Sequence, residues 1–184
     1  YKRQTKAYDG NTTITSGSVT LSNLSGGQTI NTSGSITTNS ANVASYGTSD
    51  ITVSSLSLAD GTGAASNYTL SGGTYSASVT QKVLGLTGSR VYNATTTASS
   101  SDLSLTGLVG SETLTLSGSG TLTSSAVGTG KTITLNTLAI SNNSGLASNY
   151  DLSGTATMNV TTRAVTVLSL IHISDPTRRY RISY

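Results

Sequence analysis

The chain contains no cysteine, no tryptophan and no phenylalanine, and only one proline, one histidine and one methionine among its 184 residues. Each gap excludes something. Without Cys there are no disulfides and no thiolate metal sites; small extracellular domains often rely on disulfides, so this chain must hold itself by sheet packing alone. With His172 the single imidazole and no thiol at all, a common general base and a common nucleophile are missing from nearly the whole chain. Charged residues make up only 9 % of the chain, fewer than disordered sequences usually carry. No apolar run reaches the about 18 residues of a membrane-spanning helix. No apolar set recurs at the 3.6-residue spacing of an amphipathic helix.

What remains is Ser and Thr, together more than a third of the residues, with Val, Ile, Leu, Tyr, Gly and Asn. Thr, Val, Ile and Tyr suit a pleated, half-buried surface, and Gly and Asn supply turns. The chain also repeats itself. Lys6-Ala7-Tyr8-Asp9-Gly10-Asn11-Thr12-Thr13 returns as Arg90-Val91-Tyr92-Asn93-Ala94-Thr95-Thr96-Thr97, with the tyrosines 84 residues apart. Ala65-Ser66-Asn67-Tyr68-Thr69-Leu70-Ser71-Gly72 returns as Ala147-Ser148-Asn149-Tyr150-Asp151-Leu152-Ser153-Gly154, 82 residues later. Two landmarks in one order at nearly one spacing define a duplicated unit. The loop Asn42 to Asp50 matches the stretch at Ala126 to Lys131, and a two-residue deletion there in the second copy accounts for the fall of the offset from 84 to 82.

Between the landmarks, short runs alternate with period two, as half-buried strands do. They include Ser18 to Ser22, Leu103 to Leu108, Ile51 to Val53 with Ile133 to Leu135, and Leu56 to Leu58 with Leu138 to Ile140. Unit one is residues 1–82 and unit two is residues 83–162; residues 163–167 match Lys82 to Leu86 and read as the start of a third copy. Gln81-Lys82 joins the units without Gly or Pro. So short an extended linker spans about 10 Å and should restrict bending between neighbours. The fold expected is all-β: two tandem sandwich-like antiparallel domains, elongated. A parallel β-solenoid, the alternative, would show a period of about 20 to 30 residues.

Tyr8, Tyr68, Tyr92 and Tyr150 are the paired aromatics; Tyr46 and Tyr75 have no counterparts. The four are expected to anchor two separate cores, rings inside and hydroxyls bonded to backbone. At Asp9-Gly10 an Asx turn with positive φ is expected; Ala94 in the second copy resists positive φ, which points either to a different turn there or to a glycine that matters less than it looks.

Residues 168–184 break the pattern. Leu168-Ser169-Leu170-Ile171-His172-Ile173 resembles the translation of a sequencing-library adapter, and the tail holds the only His and the only Pro. It also holds three of the ten basic and one of the seven acidic residues, so the formal charge of +3 falls to +1 without it. The Arg178-Arg179-Tyr180-Arg181 cluster therefore does not argue for nucleic acid, and the tail is set aside from fold reasoning.

Lys-Ala-Tyr-Asp-Gly at 6–10, Ala-Ser-Asn-Tyr-Thr-Leu at 65–70 and Val-Gly-Thr-Gly-Lys-Thr-Ile-Thr at 127–134 together resemble the YDG-type domain. That module occurs in tandem in very large bacterial surface and secreted proteins similar to filamentous haemagglutinin. The resemblance covers residues 1–167 and departs at Asn93-Ala94. It implies a repeated all-β extracellular module in an adhesin-like protein, and no catalytic residue. The expected role is a stalk or spacer at the cell surface, with neighbouring repeats as its partners. A loop-mediated module for a glycan or a host surface protein is the alternative.

No constellation argues for an enzyme or a cofactor. The acids Asp9, Asp50, Asp60, Asp102, Glu112 and Asp151 do not recur as acids at matching positions. Asp50 and Asp60 could serve calcium only with many loop carbonyls, and no dense Asp-x-Asp loop exists. Lys6 could form an isopeptide staple, but its counterpart Arg90 could not. Val127 to Thr132 lacks the spacing and the following helix of a phosphate loop.

Overall fold

A computed structural model describes residues 4–15, 21, 23–53 and 55–167. The tail 168–184 and most of the expected strand at Ser18 to Ser22 lie outside the described residues. Among the described residues every regular element is a strand or a three-residue 3-10 turn, as a chain rich in β-branched residues and without helical periodicity dictates. In unit one the strands are β1 (Gln4–Ala7), β2 (Thr13–Thr15), β3 (Ile30–Ser33), β4 (Ser35–Thr38), β5 (Ala44–Tyr46), β6 (Ile51–Thr52), β7 (Ser57–Asp60) and β8 (Ala77–Thr80). Unit two has β9 (Lys82–Val83), β10 (Gly85–Val91), β11 (Thr97–Ser99), β12 (Leu103–Thr106) and β13 (Leu114–Ser117). It continues with β14 (Ser119–Leu122), β15 (Gly128–Thr134), β16 (Ala139–Asn142), β17 (Tyr150–Asp151) and β18 (Ala156–Thr161).

The pairing repeats with the sequence. Sheet β2-β4-β6 of unit one answers β11-β14-β15 of unit two, ladder β3-β7 answers β13-β16, and β1-β8-β5 answers β10-β18-β15. One difference follows from the two-residue deletion. In unit one a 3-10 turn at Thr48–Asp50 separates β5 from β6. In unit two β15 runs through both positions with a bulge between Gly128 and Lys131, so two sheets become one of six strands, β11-β14-β15-β18-β10-β12. Its edge strands β11 and β12 are joined by the three-residue turn Ser100–Asp102, so the sheet must curl back on itself.

Each unit changes sheet at one glycine. Gly34 (φ 122°) stands between β3 and β4, and Gly118 (φ 86°) between β13 and β14. A Cβ would lie 2.0 Å from the Ser55 carbonyl oxygen at Gly34 and 2.1 Å from that of Thr137 at Gly118. Only Gly meets both demands, so both copies carry it.

Most pairs are antiparallel, but β1 with β8, β10 with β18 and β9 with β17 are parallel. The first and last strands of a unit thus run the same way. The chain leaves each unit travelling in the direction in which it came, and a following unit can start where the last one stops.

One apolar cluster lies within unit two: Leu86, Ala98, Leu103, Leu122, Ile133, Leu138, Ala156, Met158 and Val160. The other starts in unit one with Tyr8, Ile14, Ile36, Tyr46, Ile51, Ala77 and Val79, and continues into unit two through Leu84 and Tyr150. Leu105 and Leu152 pack against both clusters. The expectation of a separate core for each copy is therefore corrected. A unit of about 80 residues buries a small core of its own, and the face between the two adds to it.

Candidate functional site

The join is built from the backbone upward. Thr80 still pairs with Ala7 in unit one, while Lys82 already pairs with Tyr150 in unit two. Gln81 alone separates them, and its amide donates to the carbonyl oxygens of Tyr150 (2.9 Å) and Ser148 (3.3 Å). Leu84 N–H then bonds the Asp151 carbonyl at 2.8 Å, and Leu84 itself is fully buried. The linker is thus a strand of the second unit rather than a tether.

Two tyrosines from different units meet above it. The rings of Tyr8 and Tyr150 stand edge to face, centroids 5.4 Å apart and planes at 79°, a favoured aromatic geometry. Glu112 lies between their hydroxyls. Tyr8 donates to Oε1 at 2.5 Å and Tyr150 to Oε2 at 2.8 Å. The Val109 N–H donates to the Tyr150 oxygen at 3.1 Å. Burial, then the bond and negative charge of Glu112, push the Tyr8 phenol up to about 12. Burial, followed by the same carboxylate, raises Tyr150 against the lowering effect of the Val109 N–H.

Asn149 makes the second clasp. It is 1 % exposed, and its Oδ1 accepts from the Val43 N–H while its Nδ2 donates to Asn42 Oδ1, both at 2.9 Å. Val43 and Asn42 belong to unit one, so a buried amide of one unit is satisfied only by the other.

Tyr8 and Tyr150 are thus buried between the units rather than one inside each, and Tyr8 bonds a carboxylate, not backbone. Tyr68 is half-buried and donates to Gln28 Oε1 at 2.7 Å, with the Ser25 N–H on its oxygen at 3.2 Å. That copies the Tyr150 arrangement, since Gln28 and Ser25 stand 84 residues before Glu112 and Val109. Tyr92 is 37 % exposed and corrects the expectation of a core position: no unit covers it as unit two covers Tyr8. Sequence reasoning missed Glu112 by seeking an acid repeated as an acid. The signal was Gln28, an amide that accepts the same tyrosine bond.

At the turn beside Tyr8 the structure takes the second of the two alternatives, a glycine that matters less than it looks. Gly10 has φ 77° and Ala94 φ 65°, so both copies make the same turn. Asp9 Oδ1 accepts from the Asn11 N–H at 2.9 Å and Asn93 Oδ1 from the Thr95 N–H at 3.1 Å. Lys6 bonds Asp9 at 2.7 Å and the Thr13 and Asn11 carbonyls, and Arg90 bonds the Thr95 and Thr97 carbonyls. Burial works against the Asp9 carboxylate, but the Lys6 ammonium and the Asn11 N–H hold it below the usual range. Lys6 is a loop clamp, and Arg90 takes the same place in the second copy, bonding carbonyls only and leaving its buried Nε without a partner among the described residues.

The remaining candidates serve their own loops. Asp50 accepts from Asn39 Nδ2 and the Gly47 N–H, both at 3.0 Å. Asp60 accepts from the Ala65 N–H at 2.7 Å, as Asn142 does from Ala147 at the same distance. Among the described residues no three His, Cys, Asp or Glu side chains converge. Of Val127 to Thr132, all but Val127 lie within β15, and no helix follows. An open depression in unit two is lined by Leu103, Leu105, Leu108, Leu114 and Leu116 with Ser100, Ser104 and Thr113, and none of these side chains is charged. Among the described residues no helix is long and apolar enough to cross a membrane.

The YDG domain model matches the chain twice in succession, over residues 1–78 and 75–159. The chain belongs to the YDG domain family. No curated protein and no solved structure matches it. The two YDG repeats meet at the Tyr8–Glu112–Tyr150 joint. The change of strand partner at Gln81 falls just beyond the overlap of the two matches.

Proposed function

We propose that these YDG repeats are a spacer segment of a large bacterial surface or secreted adhesin-like protein, a mechanical part without catalysis that sets a fixed distance and direction between what lies on either side. The observation that supports this reading is the joint. Gln81 leaves no flexible tether, the parallel pairing of β1 with β8 and of β10 with β18 carries the direction forward, and buried polar groups on each repeat are satisfied by the other. A chain whose units share satisfied buried groups resists hinge motion, because bending strips those groups of partners in a dry interface.

Small-angle scattering of the full chain is expected to fit one fixed arrangement of the repeats. Insertion of Gly-Ser-Gly-Ser after Gln81 should broaden the distance distribution. A wild-type chain already as broad as the insertion variant would refute the spacer reading. A glycan array tests the binding alternative separately: saturable capture of one glycan class, lost on substitution of the Gly61 to Ser66 loop, would assign the repeat to recognition instead.

A further inference from the structure

Several corresponding residues of the two repeats differ in exposure where one copy has a neighbour and the other has none. Tyr8 is 5 % exposed and its counterpart Tyr92 37 %; Val43 is half-buried and Val127 50 % exposed. The backbone holds the two tyrosines alike. The Tyr8 N–H bonds the Thr80 carbonyl at 2.8 Å, and the Tyr92 N–H bonds the Thr161 carbonyl at 2.9 Å. The same tyrosine is thus presented at the same place beside the outgoing strand, while Gly10 and Asn42 of the first face are Ala94 and Ala126 on the second. Val91, 53 % exposed, extends the patch. On the first repeat this face is covered by the second repeat.

The opposite end of the pair carries the other half. Asn149 is buried and Asn67 exposed; Leu152 is half-buried and Leu70 is 40 % exposed. Gln28 Oε1 takes the Tyr68 hydroxyl as Glu112 Oε2 takes that of Tyr150. The Gln28 Nε2 makes no hydrogen bond among the described residues, and an amide N–H₂ can donate to a second phenol oxygen.

We propose that the Tyr92–Val127 face of the second repeat is a docking face whose occupant is a further YDG repeat, seated as the second repeat is seated on the first. Its Tyr92 hydroxyl would enter the position that Tyr8 takes on Glu112, on the corresponding Glu or Gln of the incoming repeat. The Val127 N–H would meet the incoming Asn in place of Val43. The contact is heterologous: one end of a repeat fits the other end of the next, so it propagates rather than closes. The inference does not depend on whether the array belongs to an adhesin.

The test inserts a copy of residues 82–162 after Thr162 of the full chain, which adds a third repeat in register with its own Gly85, since a Cβ at that position would lie 2.8 Å from the Thr155 carbonyl oxygen. Tyrosine nitration mapped by mass spectrometry is the readout. Tyr92 should react readily in the original chain, and at least about tenfold more slowly in the extended one, matching Tyr8. Substitution Tyr92→Ala should leave the melting temperature of the original chain unchanged and lower that of the extended chain by several degrees. Undiminished Tyr92 reactivity beside a folded third repeat overturns the proposal. So does an inserted repeat that hydrogen exchange shows unfolded, since the same residues fold against the first repeat. An extended variant with Ala94→Gly and Ala126→Asn copies the first repeat's face. Protection seen only there assigns docking to that face and refutes it for the native one.

Discussion

Glu112 shows how much one side chain decides. A carboxylate has two oxygens, and each accepts one phenol, one from each repeat. Glu112→Ala should strand two buried hydroxyls at a cost of about 2–4 kcal/mol, read as a lower denaturant midpoint. Glu112→Gln should cost less, because its amide can still serve both hydroxyls. The same geometry sets an alkaline limit. The Tyr8 phenol, pushed up to about 12 by burial and then by Glu112, holds its proton in the folded chain after the unfolded chain has released it, near pH 10. Its contribution is complete below pH 10 and falls as pH rises towards 12; Tyr150 acts in the same direction. Denaturation midpoints measured from pH 8 to 12 should decline in that window, and Tyr8→Phe should flatten the decline. Ala94 is the converse case, a side chain that its turn opposes. Left-handed backbone costs a non-glycine residue about 1–2 kcal/mol, partly offset by the entropy a glycine brings to the unfolded chain. Ala94→Gly should therefore stabilise by up to about 1 kcal/mol in a thermal melt. The tyrosine positions were legible in the sequence because they recur. Their surroundings were not, because recurrence shows that two backbones are alike and is silent on which one has a neighbour.

At the scale of elements, period-two alternation marked several of these strands, among them β6, β12 and β16, and the Gly-rich stretches marked several of the turns. The parallel pairing of first and last strands was not legible. It joins β1 to β8 across most of a repeat, and local alternation carries no information about such distant partners. The sheet change was half visible: Gly34 and Gly118 recur at one offset, but their need arises from Ser55 and Thr137 carbonyls that only the folded chain brings close. Gly118→Ala sets a Cβ 2.1 Å from the Thr137 oxygen and imposes a left-handed conformation on alanine. A loss of at least about 2 kcal/mol is expected, with the β13–β16 ladder losing hydrogen-exchange protection first.

For the molecule as a whole, the question is whether two repeats make one cooperative body. The apolar cluster of the first runs into the second through Leu84 and Tyr150, and Leu105 and Leu152 touch both clusters. In a chain of repeats, stability sums what each unit has alone and what each interface adds. Here the interface term includes a buried aromatic pair, a shared carboxylate and a buried amide, while each unit alone is small. The interface should therefore dominate. Calorimetry of the full chain should show a single transition with equal calorimetric and van't Hoff enthalpies. Tyr8→Ala empties a site between the repeats and should cost about 3–5 kcal/mol by analogy with large core truncations. If the interface dominates, amides of both repeats lose protection together in that variant. If Tyr8 served the first repeat alone, β10 and β18 of the second would exchange at their original rates while β1 and β8 opened.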